Sequence, residues 1–353
     1  MKTNHQINLT DSGTMESVAD DSIDLVVTSP PYPMIEMWDD FFTEQSETVR
    51  EALSAGKGMK AFNRMHSLLE PTWNEIKRVV RPSGIVCVNV GDATRKIGGT
   101  FQQFPNHVRI IDAFNKMGFE ILPDILWRKP TNSANKFMGS GMIPPNAYVT
   151  LEHEYILIFR KEGGPRSIES DKDRRYQSAY FWEERNKWFS DLWGDITGSV
   201  QDLLNPDLRE RAAAFPLRIP YRLINMFSLQ GDTVLDPFWG TGTTSLAAMV
   251  AARNSVGYEL NENFIATFEQ DLDSLRTLNH QINKERLENH HTFVQTSRES
   301  GTEFKYTNDV YETPVKTKQE KTLQFWTTSE LSIDNNHYTL THKPWKNTDS
   351  RQN

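Results

Sequence analysis

The segment Thr28-Ser29-Pro30-Pro31-Tyr32 combines residue types that suit chemistry on an amino group. Its two consecutive prolines fix the backbone and remove two N–H donors, so the loop presents carbonyl oxygens and side chains rigidly. The Ser29 hydroxyl and the Pro30 carbonyl could accept the two hydrogens of an amine that is conjugated to an aromatic ring. Such contacts would position the amine and favour a tetrahedral nitrogen whose lone pair is free to act as a nucleophile. These residues alone are equally compatible with a proline-rich strand exit in which Tyr32 packs on the core.

A second candidate site is the glycine-rich turn from Asp236 to Thr244, with the sequence Asp-Pro-Phe-Trp-Gly-Thr-Gly-Thr-Thr. Glycines between a strand and a helix let a ligand approach the backbone closely. In doubly wound sheets, nucleoside-like ligands bind at such turns. A bare Gly-x-Gly is also compatible with an ordinary tight turn. No lysine follows Gly242, which excludes a P-loop, and Ser245 stands where a dinucleotide-binding turn needs a third glycine.

Two carboxylates flank this turn, and together they indicate a ligand. Asp236 begins the turn, and Glu259 ends the next strand-like segment. A carboxylate at the end of that strand is placed to accept hydrogen bonds from ribose hydroxyls. A carboxylate at the start of the turn suits a cationic amino group better than a pyrophosphate. The pair therefore predicts S-adenosylmethionine as the ligand.

Taken together, the two segments resemble the DNA amino-methyltransferases. The hallmarks of that family are a (Ser/Asn/Asp)-Pro-Pro-(Tyr/Phe) loop and an Asp-Pro-Phe-x-Gly-x-Gly turn, and both are present here. The loop precedes the turn, an order similar to that of the β class, whose motifs are circularly permuted. Residues of about 8–34 and 80–265 carry the resemblance. It implies an α/β, Rossmann-like S-adenosylmethionine-dependent methyltransferase fold with a mainly parallel sheet of the seven-stranded type.

The resemblance also implies an activity and its residues. The activity is methyl transfer to an exocyclic amine of a base flipped out of double-stranded DNA. Catalysis would involve Ser29, Pro30, Pro31 and Tyr32, with Tyr32 stacking on the base. The methyl donor would be held by a larger set, namely Asp11, Thr28, Pro216, Asp236, Pro237, Phe238, Gly240, Gly242, Thr243 and Glu259. No metal is expected.

The serine of the loop bears on which amine is methylated. Serine before the two prolines resembles the cytosine-N4 enzymes, whereas aspartate or asparagine is usual in adenine-N6 enzymes. One hydroxyl can donate to the ring N3 and accept from the amine. We therefore expect N4-methylcytosine, with N6-adenine methylation as the alternative. An RNA or protein-glutamine methyltransferase and a DNA-binding module with a relic cofactor fold are further alternatives.

Methylation of the C5 carbon of cytosine is excluded by a different argument. That reaction needs a thiolate nucleophile. The chain has one cysteine, Cys87, which lies inside the apolar run 85–88. It is expected to be a buried core thiol.

Alternating strand-like and helix-like segments must position the two motifs. The patterns predict strands at 23–27, 85–90, 120–128, 154–160, 233–236 and 255–259. They predict helix over about 35–80 with an interruption near 54–58, and helices at 104–117, 219–227 and 243–252. Gly118 is expected to end the second of these helices. Alternating stretches at 322–326 and 337–341 indicate a small β-rich region in the tail.

The resemblance divides the chain into four regions. Residues 1–160 would form the catalytic half, 161–205 the target-recognition region, 206–291 the cofactor-binding half and 292–353 a C-terminal appendage. The region 161–205 is rich in aromatic and basic residues. We expect DNA contacts there from Arg166, Lys172, Arg174 and Arg175, since such side chains hold phosphates and read bases.

The composition limits the class of protein but does not by itself indicate a DNA-binding protein. The 353 residues carry a net charge of −8, which is not typical of a nucleic-acid binder. No apolar run approaches the length of a membrane span, and the segment Met-Lys-Thr-Asn-His at the start has no apolar signal region. We expect a cytoplasmic prokaryotic enzyme, monomeric or homodimeric, associated with the nucleoid through DNA. A cognate restriction endonuclease would be its functional partner.

Overall fold

The computed structural model describes residues 1–129, 139–168, 171–197 and 215–347. Within these ranges the strands are β1 Lys2–Asn8, β2 Ile23–Thr28, β3 Val80–Val90, β4 Ala93–Ile97, β5 Thr100–Phe104, β6 Glu120–Arg128, β7 His153–Arg160, β8 Leu192–Trp193, β9 Thr233–Asp236, β10 Asn254–Tyr258, β11 Tyr306–Thr307, β12 Pro314–Val315, β13 Trp326–Asp334 and β14 His337–Pro344. The helices are α1 Asp39–Gln45, α2 Glu47–Ser54, α3 Gly58–Val79, α4 Asn106–Lys116, α5 Lys172–Gln177, α6 Trp182–Trp188, α7 Arg218–Phe227, α8 Thr243–Val250, α9 Asn263–Asp273 and α10 Leu275–Glu299.

A single large sheet organises the described residues, with the strand order β13-β14-β1-β10-β9-β2-β3-β7-β6-β8. Its five central strands, from β1 to β3, are parallel. β7 is antiparallel to both of its neighbours, and β14 is antiparallel to β1. The predicted α/β fold with a mainly parallel sheet is confirmed, although this sheet has ten strands.

The central strands are buried because helices cover both faces of the sheet. In β2, Leu25 and Val27 pack on one face with residues of α7 and α8, while Val26 packs on the other with residues of α3 and α4. Successive side chains of a strand point to opposite faces, so a strand covered on both sides reads as a continuous apolar run. This is why the segment 23–27 is recognisable from the sequence.

Up to residue 259 the predicted strands and helices match the structure to within a few residues, and the break expected near 54–58 separates α2 from α3. Gly118 follows α4 with a φ of +88°, which suits a glycine that ends a helix. The segment 337–341 lies within β14. The expected β-rich tail is present, but the stretch 322–326 precedes its strand, because β13 begins at Trp326 and runs to Asp334. Five consecutive residues of β13, 330–334, are exposed, including the two apolar side chains Leu331 and Ile333.

The C-terminal part of the chain is continuous with the rest. Helix α10 runs through the predicted boundary between residues 291 and 292. Strand β14 pairs with β1, joining Thr3 to Leu340 and His5 to Tyr338. This segment therefore extends one edge of the main sheet. No helix among the described residues is long and apolar enough to cross a membrane.

A buried ion pair links helix α10 to helix α6. The Arg286 guanidinium donates to both carboxylate oxygens of Glu184, at 2.5 and 2.7 Å, and also to the Tyr221 hydroxyl at 3.0 Å. Both charged side chains are about 10% exposed. Removing one member of such a pair leaves an uncompensated buried charge.

We therefore predict that Glu184→Ala lowers the free energy of unfolding by roughly 3–5 kcal/mol. The matched control is Glu285→Ala, which removes the exposed partner of Arg218 and should cost no more than ~1 kcal/mol. Urea unfolding of both variants measures the difference. Equal losses would show that the Glu184–Arg286 pair does not stabilise this interface.

Candidate active site

The two sequence motifs meet at the carboxyl ends of the parallel strands. The Ser29 loop follows β2, the glycine turn follows β9, Glu259 follows β10 and Asp11 lies just beyond β1. Because these strands are parallel, their carboxyl ends share one edge of the sheet, where ligands bind in open α/β folds. A cavity of about 700 Å³ lies at this edge.

Most of the predicted site residues line this cavity. They are Asp11, Ser29, Pro30, Pro31, Asp236, Pro237, Phe238, Gly240, Thr243 and Glu259. Four others are not part of its lining, namely Thr28, Tyr32, Pro216 and Gly242, although Phe215, the neighbour of Pro216, does line it. The structure therefore brings together two segments that are about 200 residues apart in the chain.

A direct hydrogen bond joins the two motifs. The Thr28 hydroxyl donates to Asp236 Oδ1 at 2.7 Å, and the Phe238 N–H donates to the same oxygen at 3.1 Å. Asp236 is only 3% exposed. Burial raises the pKa of the Asp236 carboxyl to about 6, even though the hydrogen bonds from Thr28, Thr244 and Phe238 oppose this shift. A buried carboxyl without a counter-charge favours a cationic ligand.

Glu259 holds the glycine turn in place. Its Oε2 accepts from the Gly240 N–H at 2.8 Å, and its Oε1 accepts from the N–H groups of Leu260 and Asn261, both at 2.9 Å. Burial raises the pKa of Glu259, and these three backbone donors oppose the rise. The carboxylate therefore shapes the turn as well as facing the cavity.

The two glycines of the turn serve different needs. Both adopt positive φ values, +54° at Gly240 and +79° at Gly242, which favour glycine. A Cβ at Gly240 would meet no atom closer than 4.0 Å, whereas one at Gly242 would lie 2.5 Å from Phe268 and 2.6 Å from Trp239. Gly240 thus leaves room at the cavity, and Gly242 lets the start of α8 pack on two aromatic rings.

The Ser29 loop contacts a buried polar cluster. The Tyr32 hydroxyl lies 2.9 Å from Ser29 Oγ and 3.0 Å from Glu154 Oε2. Asn89 Nδ2 donates to both the Tyr32 hydroxyl and Glu154, and Lys129 Nζ donates to Glu154 Oε1 at 2.8 Å. Tyr32 is 8% exposed, so little of its ring is open to a stacking base, and this predicted role stays a prediction.

The sequence reasoning missed three members of this cluster, Asn89, Lys129 and Glu154. Two of them had a signal. Asn89 interrupts an apolar strand between Val88 and Val90, and Glu154 opens the apolar run of β7. A polar residue inside a buried strand needs hydrogen-bond partners, so each could have been singled out. The partners themselves lie on segments that only the fold brings together.

Helices α1 and α3 form the opposite side of the cavity, which the sequence reasoning did not assign. Trp38, Phe41 and Leu68 supply apolar surface there. Five carboxylates and one arginine face the cavity, namely Asp11, Asp40, Glu44, Asp236, Glu259 and Arg64. In the described parts of the chain, no group of His, Cys, Asp and Glu side chains is arranged to hold a metal ion. The acidic excess favours a ligand that carries positive charge.

The four predicted DNA contacts lie elsewhere. Arg166 pairs with Asp232 at 2.5 Å and with Asp24 at 3.5 Å, and Arg174 pairs with Asp171 and Asp232. Lys172 and Arg175 lie beside them on α5. Asp24 and Asp232 mark the amino ends of β2 and β9, so the group lies at the sheet edge opposite the Ser29 loop. Its position does not favour contact with a base that enters the cavity.

Cys87 lies inside β3 with no exposed surface, and burial raises the pKa of its thiol. A buried, protonated thiol is a poor nucleophile. The structure therefore agrees with its expected role as a core residue.

Comparison with known proteins identifies relatives along most of the chain. A model of the DNA methylase family of N6 and N4 methyltransferases matches residues 23–270. The Type II methyltransferase M.MthZI of Methanothermobacter thermautotrophicus is 50% identical over 96% of this chain and 95% of its own. M.MjaI of Methanocaldococcus jannaschii, also a Type II methyltransferase, is 50% identical over 76% of this chain and 91% of its own.

Solved structures share the fold. A putative DNA modification methylase of Thermus thermophilus, TTHA0409, solved in complex with S-adenosyl-L-methionine, is 30% identical, with a TM-score of 0.60 over 77% of this chain and 94% of its own. The PvuII DNA methyltransferase, which is cytosine-N4-specific, is 20% identical, with a TM-score of 0.53 over 76% of this chain and 86% of its own. At that identity the second likeness concerns the fold alone.

The contacts of Gly242 generate a stability prediction. Gly242→Ala should lower the melting temperature more than Gly118→Ala, because both positions have a positive φ but a Cβ at Gly118 would meet nothing within 4 Å. The shared backbone cost is about 1 kcal/mol, and crowding of Trp239 and Phe268 adds roughly 1–3 kcal/mol. Thermal unfolding measures both variants, and equal shifts would contradict the packing role.

Proposed function

The chain belongs to the DNA methylase family of N6 and N4 methyltransferases, and we propose that it transfers the methyl group of S-adenosylmethionine to the N4 amine of cytosine in double-stranded DNA. The observation that carries this proposal is the hydrogen bond between Thr28 and Asp236. It joins the Ser-Pro-Pro-Tyr loop to the glycine turn. Serine before the two prolines resembles the cytosine-N4 enzymes, and this resemblance supports cytosine as the target.

The side chains that line the cavity suit S-adenosylmethionine as the methyl donor. S-adenosylmethionine supplies an electrophilic methyl group on a cationic sulfur and also carries an amino group. Asp236 would face its positive charge, and Glu259 would accept from its ribose hydroxyls. Both carboxyls have raised pKa values because they are buried, and a cationic ligand offsets the cost of ionising a buried acid. Gly240 leaves the backbone open to the nucleoside part.

The loop would act on the amine. The Ser29 hydroxyl and the Pro30 carbonyl would accept its hydrogens, and the two prolines would hold both acceptors in fixed positions. Such preorganised acceptors stabilise the amine as positive charge develops on its nitrogen. The target base must leave the duplex stack to reach the cavity, and Trp38 and Phe41 supply apolar surface against which it could rest.

The biological setting is part of the proposal. Two relatives of 50% identity are named Type II methyltransferases, so we propose that this enzyme protects host DNA beside a cognate restriction endonuclease. We retain residues 161–205 as the proposed target-recognition region. Residues 169–170 and 198–205 of that interval lie outside the described part of the chain.

The identity of the base is tested by expressing the enzyme in a host that lacks DNA methylation. Genomic DNA is then digested and its nucleosides are analysed by mass spectrometry. We expect N4-methylcytosine, absent from cells that carry the Ser29→Ala variant. N6-methyladenine alone would overturn the choice of cytosine while leaving the family assignment intact.

The raised pKa of Asp236 predicts how cofactor binding depends on pH. If the ionised carboxylate binds the cationic ligand, affinity is full well above the pKa of about 6 and falls as the pH drops through that value. The dissociation constant of S-adenosylmethionine should rise about tenfold between pH 7.5 and pH 5. Calorimetric titration measures it.

Two variants make this prediction specific. Asp236→Asn should bind weakly and lose the pH dependence, because the amide does not titrate in this range. Glu259→Gln should keep the dependence. An unchanged pH profile in Asp236→Asn would show that a different group binds the positive charge.

A further inference from the structure

The polar cluster behind the catalytic loop determines which way the Ser29 hydroxyl points. Its centre is the Tyr32 oxygen, which lies 2.9 Å from Ser29 Oγ, 2.8 Å from Asn89 Nδ2 and 3.0 Å from Glu154 Oε2. Tyr32 has one hydrogen to donate and can accept two hydrogen bonds. The chemistry of its three neighbours therefore fixes the direction of each contact.

Glu154 is the neighbour that can only accept. Its two oxygens receive N–H donors from Asn89 at 2.7 Å and from Lys129 at 2.8 Å, and neither donor group can accept in return. The Tyr32 hydrogen must therefore point to Glu154, since otherwise two oxygen lone pairs would face each other at 3.0 Å. Burial raises the pKa of Tyr32 well above its usual value, so this hydrogen is retained.

The other two contacts follow from this one. The Asn89 amide is oriented with its NH₂ group toward Glu154, because the reverse orientation would place its oxygen against the carboxylate. Its N–H therefore donates to the Tyr32 oxygen. The remaining partner, Ser29, is then also a donor to Tyr32, and its own hydrogen points away from the cavity.

We propose that Glu154 is a positioning residue that acts through Tyr32 to keep Ser29 Oγ a pure hydrogen-bond acceptor toward the cavity. The inference deepens the proposed function and rests on it. With the Ser29 hydrogen committed to Tyr32, both lone pairs of Ser29 are free for the N–H groups of an incoming amine. Lys129, which is 44% exposed, balances the charge of Glu154.

This direction has a consequence for base choice. A Ser29 hydroxyl that cannot donate into the cavity cannot bind the ring N3 of cytosine or the ring N1 of adenine, because both nitrogens are acceptors. The Ser29 hydroxyl would then accept from the amine of either base, so a preference for cytosine would not come from a contact between Ser29 and ring N3. Selection of the base passes to the shape of the cavity and the groups around it, among them Trp38, Phe41 and Arg64.

The test compares Glu154→Leu with Glu154→Gln in single-turnover methyl transfer to DNA. Leucine removes the acceptor, so the Tyr32 hydrogen is expected to turn toward Ser29 and the rate should fall about 10-fold to 100-fold. Glutamine keeps one acceptor oxygen for Tyr32 and should retain the rate within about threefold. The affinity for S-adenosylmethionine should not change in either variant, because Glu154 does not line the cavity. Equal loss in both variants would overturn the inference.

A double-mutant cycle with Tyr32→Phe distinguishes an effect on the direction of the Ser29 hydroxyl from a general disturbance of the fold. Phenylalanine has no hydroxyl to reverse, so adding Glu154→Leu to Tyr32→Phe should cause no further loss. Additive losses would overturn the inference. If Glu154→Leu failed to bind the cofactor through misfolding, Tyr32→Phe alone should still lower the rate, and an unchanged rate would count against the inference. A wild-type enzyme that methylated no DNA would instead refute the proposed function.

Discussion

The parallel pairing of β2 with β9 is the constraint on which the rest of the site depends. It places Thr28 beside Asp236 and allows the hydrogen bond of 2.7 Å between them. Each strand then continues into a turn whose shape is fixed locally, by two prolines in one case and by glycines held by Glu259 in the other. Since both strands are packed against helices on both faces, a shift of register would disrupt the fit of their side chains in two close-packed layers. The cavity has an amine side, at the Ser29 loop, and a donor side, at the glycine turn. The distance between these two sides is therefore set by the sheet.

The two sides of the cavity differ in their electrostatics. The glycine-turn side holds the buried carboxyls of Asp236 and Glu259, whose pKa values are raised by burial. Behind the amine side, Glu154 is compensated by Lys129 and accepts from Tyr32 and Asn89. The first arrangement attracts a cation, and the second orients a neutral hydroxyl. Methyl transfer from a sulfonium to an amine needs both, because the positive charge moves from one side to the other as the bond forms.

Local sequence predicted those parts of the site that local geometry determines. The loop at Ser29 and the turn at Asp236 are recognisable because prolines and glycines restrict the backbone wherever they occur. The cluster of Asn89, Lys129 and Glu154 was missed because its members lie on or directly after three different strands, and only sheet order makes them neighbours. Arg166 shows the converse limit. Its basic side chain and aromatic surroundings predict a DNA contact, but its ion pair with Asp232 at the amino end of β9 could be found only from the fold, and the DNA contact stays a prediction.

The most direct measurement follows a labelled methyl group from S-adenosylmethionine into macromolecules with the purified protein. Unmodified double-stranded DNA, RNA and protein are offered separately, and labelled DNA is hydrolysed to its bases. We predict that the label enters DNA alone and resides on an exocyclic nitrogen. Label on the C5 carbon of cytosine, or label in RNA or protein with none in DNA, would contradict the account.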